Sequence, residues 1–190
     1  MRALIADCPA LRAAASALIT AQYLAAGFGQ HEIPTGEHSQ TLVVLDQAEV
    51  IGTLTLTFDN PAGLLADLAY REFLHDRREV GGRCAEITKF AFSTSSYPAR
   101  DALFRLASSI LTERGQTDLF IEVHPDHVRF YRRWLRFWTV GEVTITARVN
   151  APARLLWIDL RLFKISVDRR GRPRAGVVDR RQADMLPTAV

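Results

Sequence analysis

The segment CAEITKFAFS, residues 84–93, sets the first constraint. Cys84, Glu86, Thr88, Phe90 and Phe92 alternate with Ala85, Ile87, Lys89 and Ala91, so apolar side chains fall on both faces. A strand of that pattern is covered from both sides and belongs in the interior of a layered sheet. Glu86 is out of character there, because an apolar interior disfavours a carboxylate that is neither paired nor used.

The rest of the chain supplies the layers. After Pro9, LRAAASALITAQYLAAG is Ala- and Leu-rich with helical spacing, and Gly27 and Gly29 end it. Residues 30–40 read as a polar loop. TLVVLD (41–46) and EVIGTLTLTF (49–58) form a hairpin around Gln47 and Ala48. In the second strand Leu54, Leu56 and Phe58 alternate with Thr53, Thr55 and Thr57, giving an apolar face and a hydroxyl face. Asp59, Asn60, Pro61 and Gly63 then make a turn, and residues 64–79 read as a short helix. A helix follows over 99–114, a strand over 117–123, and a helix from Pro125 through DHVRFYRRWLRFW. Residues 140–149 and 154–163 are the last strand candidates. From Ser166 onward the sequence is charged, Gly- and Pro-rich and without apolar periodicity. The expectation is one domain over 1–165 and a basic, disordered tail over 166–190. The fold class is α/β (α+β), a mixed, mostly antiparallel central sheet flanked by helices, with one βαβ crossover.

Composition narrows the function classes. With 48% hydrophobic and 24% charged residues the chain fits one globular domain and not a disordered one. No apolar run approaches the roughly 20 residues of a membrane span. Asp7, Pro9 and Arg12 interrupt any basic-then-apolar leader pattern at the start. Cys8 and Cys84 are the two cysteines, which suits a reducing cytoplasm better than a disulfide framework. Residues 161–190 hold eight Lys or Arg and three Asp, a local +5, so the other 160 residues sum to −2 of the overall +3. The pI of 9.2 is therefore a tail property and no argument for nucleic-acid binding.

Three segments carry a resemblance: VIGTLTLTFDNPAGLLADLAYREF, AEITKFAF and VHPDHVRFYRRWLRFWTVGE. With LITAQYLAAGF as a weaker fourth, they resemble the GNAT acyltransferase superfamily over roughly residues 10–162. Within it they are similar to the branch of N-acyl amino acid synthases (FeeM-type) and acyl-homoserine-lactone (autoinducer) synthases. Three departures stand out. Lys89 replaces the usual arginine, and Arg136 replaces a helix-end glycine ahead of Phe137. STSSYPARD follows Phe92 where the glycine-rich pyrophosphate loop of CoA enzymes would stand. Glycines there let backbone amides approach phosphate. Their absence agrees with a donor on acyl carrier protein, which presents a phosphopantetheine arm without the nucleotide end.

The resemblance implies an acyltransferase that moves a fatty acyl group from a thioester, on acyl carrier protein or else acyl-CoA, to the amine of an amino acid or similar small molecule. It implies no permanently bound cofactor. Glu86 matches the family glutamate and is the expected base, its proton affinity raised by burial; the alternative is a structural carboxylate paired with Lys89. Tyr131 matches the tyrosine that protonates the departing thiolate, although its aromatic helix also reads as core. Thr88 shares the Glu86 face, whereas Lys89 points away unless a bulge intervenes; both are substrate-binding candidates. Ser93 and Ser95 are candidates for holding a single phosphate. Arg129, Arg132 and Arg133 form a basic stripe that reads as a solvated helix face or as a docking surface for an acidic carrier protein. Apolar residues of 64–75 would line the acyl channel. His124 and His127 lack a third ligand, so no metal is expected. Competing readings are an acyl-homoserine-lactone synthase, a CoA-dependent enzyme and a catalytically silent binding module on the same fold.

Overall fold

A computed structural model describes residues 1–29, 31–146 and 150–170 of the 190-residue chain. In chain order the elements are β1 (Arg2–Ile5), α1 (Pro9–Ala25), β2 (Ser39–Asp46), β3 (Glu49–Phe58), α2 (Asp67–Glu79), β4 (Cys84–Phe92) and α3 (Tyr97–Glu113). There follow β5 (Asp118–Val123), a 3₁₀ turn (Pro125–His127), α4 (Val128–Trp134), β6 (Trp138–Thr139), β7 (Thr144–Thr146), β8 (Ala151–Asp159) and α5 (Leu160–Arg170). The strands join in the order β1-β2-β3-β4-β5-β8-β6, with β7 on β8.

β4 lies in the middle, and all nine of its residues are buried, as its two-sided apolar pattern requires. It runs antiparallel to β3 and parallel to β5, and α3 makes the crossover between the parallel pair. On one face Ile87, Phe90 and Phe92 pack with Leu103 and Phe104 of α3, Tyr131 of α4 and Phe163 of α5. On the other, Ala91 packs with Ile19 and Tyr23 of α1, while Cys84 packs with Tyr70 and Leu74 of α2. The expected α/β architecture with a mostly antiparallel sheet is therefore present.

Several elements differ from the sequence expectation. β1 pairs antiparallel with β2 and was not foreseen; its four residues are too short for periodicity to register. The segment 154–163 is not a single strand. β8 ends at Asp159, whose carboxylate accepts from the Arg161 amide at 2.8 Å, and α5 begins at Leu160. That helix passes the expected domain end and buries Ser166 and Val167 against the domain. The rest of the expected tail, 171–190, lies outside the described residues. Only Thr144–Thr146 of 140–149 is a described strand, with 147–149 likewise outside them.

The helix expected through Phe137 stops at Trp134 because Arg136 takes φ +66°, the left-handed conformation that closes a helix. This is the position where the resemblance has glycine. A side chain there costs about 1–2 kcal/mol. Arg136→Gly is expected to raise stability by about 1 kcal/mol, measured as a higher denaturant midpoint with an unchanged m-value.

Candidate active site

A bulge in β4 decides which side chains meet. Thr55 of β3 pairs with Thr88 and Thr53 with Ala91, so two steps on β3 span three on β4. Lys89 absorbs the extra residue with φ +53°. The bulge reverses the alternation, and Lys89 turns to the side of α1, where Nζ donates to His31 Nδ1 at 3.0 Å and lies 5.4 Å from the Tyr23 ring centroid. His31 Nε2 donates to the Phe28 carbonyl at 2.9 Å, which leaves Nδ1 as the acceptor. Glu86, Thr88 and Lys89 consequently share one face: the bulge that the sequence reading held open as an exception is present and turns Lys89 to this side.

That face is the hydroxyl face of β3. Thr55 stands between Thr41 and Thr88 across three strands, and its Oγ1 lies 3.0 Å from Thr41 Oγ1. Thr57 pairs with Glu86. Thr88 is 1% exposed, and its hydroxyl has no hydrogen-bond partner among the described residues. A buried polar atom in that condition suits a reactant.

Glu86 is fully buried, and its Oε2 accepts from the amides of Leu65 at 2.8 Å and Ala66 at 3.4 Å. Those amides are presented by the turn that begins at Asp59. Asn60 donates to the carbonyls of Phe58 and Gly63, and Asp67 accepts from the Leu64 amide at 2.7 Å. Arg78 ties the turn together by donating to both Asp59 and Asp67. Burial works to raise the Asp67 pKa, but the Arg78 hydrogen bond, the Leu64 amide and the neighbouring arginine charges outweigh it and hold the carboxyl below 3.8. Because the folded pKa lies below the unfolded one, this contribution is present above about pH 4 and lost as pH falls through the folded value. Asp67→Asn is therefore expected to cost about 1–2 kcal/mol at pH 7 and progressively less as pH falls through the folded-state value, measured by urea melts across pH.

β4 and β5 separate just beyond Glu86. Their ladder runs from Cys84/Asp118 to Ile87/Ile121 and stops, while β4 continues to Phe92 and β5 to Val123. Thr88 and Glu122 are the first residues past the parting. Glu122 is 2% exposed, two positions along β5 from Phe120, the partner of Glu86, and on the same face. Sequence reasoning passed over Glu122 and His31; the polar residue inside the apolar run LFIEV was the available signal for the first. Beneath Glu86 the expected channel residues Leu64 and Leu74 are core, packed with Tyr70, Phe120 and Leu155.

Tyr131 lies on the opposite face, fully buried among Phe90, Phe130 and Phe137. Burial raises its pKa well above that of an ordinary phenol. Cys84, also buried, has its thiol pushed up to about 12, chiefly by desolvation, which leaves it no role as a nucleophile. Ser93 and Ser95 are exposed after β4; the Ser93 hydroxyl donates to the Ile51 carbonyl at 3.4 Å, and Ser96 caps α3. Arg129, Arg132 and Arg133 are exposed on α4. With Arg136, Phe137 and Trp138 they border a groove of about 800 Å³. Among the described residues no group of three or more His, Cys, Asp or Glu is placed to hold a metal, and no helix is long and apolar enough to cross a membrane.

Residues 14–159 match the family of N-acyl amino acid synthase FeeM. The chain belongs to that family. The solved structure of FeeM, an N-acyl amino acid synthase from uncultured soil microbes, superposes with a TM-score of 0.78 at 25% identity, covering 87% of this chain and 99% of that one. TofI in an apo form shares the fold at TM-score 0.68 and 16% identity, over 88% and 97% of the two chains. BjaI, a CoA-dependent acyl-homoserine lactone synthase solved with SAM and isopentyl-CoA, does so at 0.58 and 13%, over 90% and 89%. A search of curated proteins finds no match. This FeeM-family chain is an acyltransferase with the GNAT fold.

Proposed function

We propose that this FeeM-family chain transfers a fatty acyl group from the phosphopantetheine thioester of an acyl carrier protein to the amine of an amino acid, in a reducing cytoplasm. The observation that carries the reading is the separation of β4 from β5, with Glu86, Thr88 and Lys89 on the α1/α2 side and Tyr131 on the α3/α4 side. A thioester lying in the parting meets a base from one side and an acid from the other.

The acceptor arrives as an ammonium and must lose a proton to become a nucleophile. Glu86 takes it. The amides of Leu65 and Ala66 on Oε2 hold the carboxylate in place for that transfer. The nitrogen forms a bond to the thioester carbonyl carbon, and the Thr88 hydroxyl donates to the oxyanion. The C–S bond breaks, the thiolate takes the phenolic proton of Tyr131, the nitrogen's second proton restores the Tyr131 phenol as the neutral amide forms, and Glu86 releases the first proton to solvent. Burial raises the proton affinity of phenol and thiolate alike, as it does for Tyr131 and Cys84, so the pair stays matched in dry surroundings. Lys89, hydrogen-bonded to His31, supplies a cation for the acceptor carboxylate. Ser93 and Ser95 lie on the path of the donor arm, and Arg129, Arg132 and Arg133 attract an acidic carrier protein.

Mass spectrometry of lipid extracts from expressing cells tests the reading. Appearance of N-acyl amino acids supports it, an acyl lactone replaces the acceptor class, and the absence of any new amide counts against it.

A further inference from the structure

Lys89 stands where the resemblance has arginine. The exchange weakens recognition of a carboxylate. A guanidinium meets it with two parallel N–H bonds, whereas an ammonium is a point charge on a flexible four-carbon stem. Two contacts restrain that stem here: Nζ lies 3.0 Å from His31 Nδ1 and 5.4 Å from the Tyr23 ring centroid. An imidazole lone pair and a ring face carry no formal negative charge, so these two contacts hold the ammonium without cancelling its charge. A carboxylate in the place of His31 would hold it and neutralise it. The backbone contributes as well. Lys89 takes φ +53° on the bulge, a conformation that persists in a non-glycine residue only where the surroundings enforce it.

His31 is itself held from several sides. Nε2 donates to the Phe28 carbonyl at 2.9 Å, and the ring meets that of Tyr23 at 4.8 Å between centroids. The Phe28 amide donates to the Tyr23 carbonyl at 2.8 Å, and the Phe28 ring packs on Ala151 and Ala153 of β8. Beyond His31, Ile33 is buried with Ile19 and Tyr23 of α1, and Arg12 donates to the Pro34 carbonyl at 3.0 Å. His31 is half-buried and Lys89 is 8% exposed, so the pair is nearly dry yet within reach of a small ligand. On the same face stand the buried carboxylates of Glu86 and Glu122, which favour the ammonium end of an acceptor, while Lys89 favours its carboxylate end. Resting on the acyltransferase reading above, we propose that His31 is the positioning residue that aims the Lys89 ammonium at the acceptor carboxylate, and so makes the protein choose amino acids over amines that lack one.

Two measurements on the full chain test it. In a lysate of expressing cells, which supplies its own acyl thioesters, an equimolar pool of the proteinogenic amino acids competes with an equimolar pool of the amines left by their decarboxylation. Mass spectrometry counts N-acyl amino acids against N-acyl amines. The parent is expected to favour amino acids by about 10- to 100-fold, the size of a charge-assisted contact. His31→Phe keeps a ring against Tyr23 but offers no acceptor, and is expected to lower that ratio by about 5- to 10-fold. His31→Asn, whose amide oxygen reaches the place of Nδ1, keeps part of the preference, and Lys89→Met brings the ratio close to 1. A merely structural His31 would lower both products together. A parent without preference, or an unchanged ratio in His31→Phe, overturns the proposal. Absence of both products overturns the acyltransferase reading and leaves the second measurement to decide this one. That measurement is nitrogen NMR of the histidine side chains near neutral pH, with no acyl donor present. His31 is expected as the Nε2-protonated tautomer, with an Nδ1 signal that shifts in Lys89→Met and on addition of the amino-acid pool but not of the amine pool. The selective shift upholds the proposal even where no amide forms. A charged or Nδ1-protonated His31, or an equal response to the two pools, overturns it.

Discussion

Glu86→Gln lowers kcat/KM for amide formation by about 10²- to 10³-fold with little change in thermal stability, the range expected for loss of a positioned general base. Glutamine keeps a carbonyl oxygen in the place of Oε2, so the amides of Leu65 and Ala66 retain their acceptor and the turn from Asp59 to Ala66 stays closed. What it removes is the capacity to take a proton. The measurement is steady-state kinetics across pH. The parent loses rate on the acid side as its base becomes protonated, and the variant should lack that limb. A variant with parental kcat/KM would reduce Glu86 to a structural acceptor for the turn. Glu86→Ala is the weaker test, because it also leaves two buried amides without an acceptor.

Asp118→Ala carries the largest expected loss of stability, about 3 kcal/mol, or about 6–12 °C in Tm for a domain of this size. Asp118 is 1% exposed at the first position of β5. It accepts from Arg77 Nε at 2.7 Å, Trp157 Nε1 at 2.7 Å and Thr117 Oγ1 at 2.6 Å. The Arg77 guanidinium also lies 4.9 Å from the Trp157 ring, so one carboxylate joins α2 to β5 and β8. Removing it strands an indole N–H and a half-buried guanidinium against the sheet. Asp118→Asn keeps an acceptor but not the charge and should lose about half as much. Calorimetric melts measure both. Folded Asp118→Asn should retain parental kcat, because none of these contacts touches Glu86, Thr88 or Tyr131; a large fall in kcat would refute the purely structural role.

The opposite consequences of these two buried carboxylates show where sequence reasoning reaches its limit. In the sequence Glu86 stands out inside a two-sided apolar strand, but nothing local marks Asp118, at the edge of the next strand-forming run, as a buried carboxylate. Burial partners separate them: Asp118 accepts from three side-chain donors, whereas Glu86 accepts from two backbone amides one ladder step before β4 and β5 part. Arg100 is a sharper case. It reads as an ordinary polar residue in the first turn of a helix, and only the convergence of Phe92, Tyr97 and Phe130 encloses it.

The sequence by itself determined the layered α/β architecture, because hydrophobic periodicity is a local property that survives any tertiary arrangement. The two-sided pattern of 84–92 placed that strand in the interior. The Leu/Thr alternation of 53–58 gave β3 one hydroxyl face, and the order of elements with three motif segments pointed to the acyltransferase family. Element ends were less legible where a single residue overrides propensity, as Arg136 does at the end of α4 and Asp159 at the start of α5. The tertiary structure alone decided the site. One bulge at Lys89 reverses the side-chain alternation along β4 and brings Lys89 to the Glu86 face, where the loop before β2 supplies His31 from 58 residues away. No local rule contains that result, because a bulge arises from a mismatch between two strands and its consequence depends on what each face packs against.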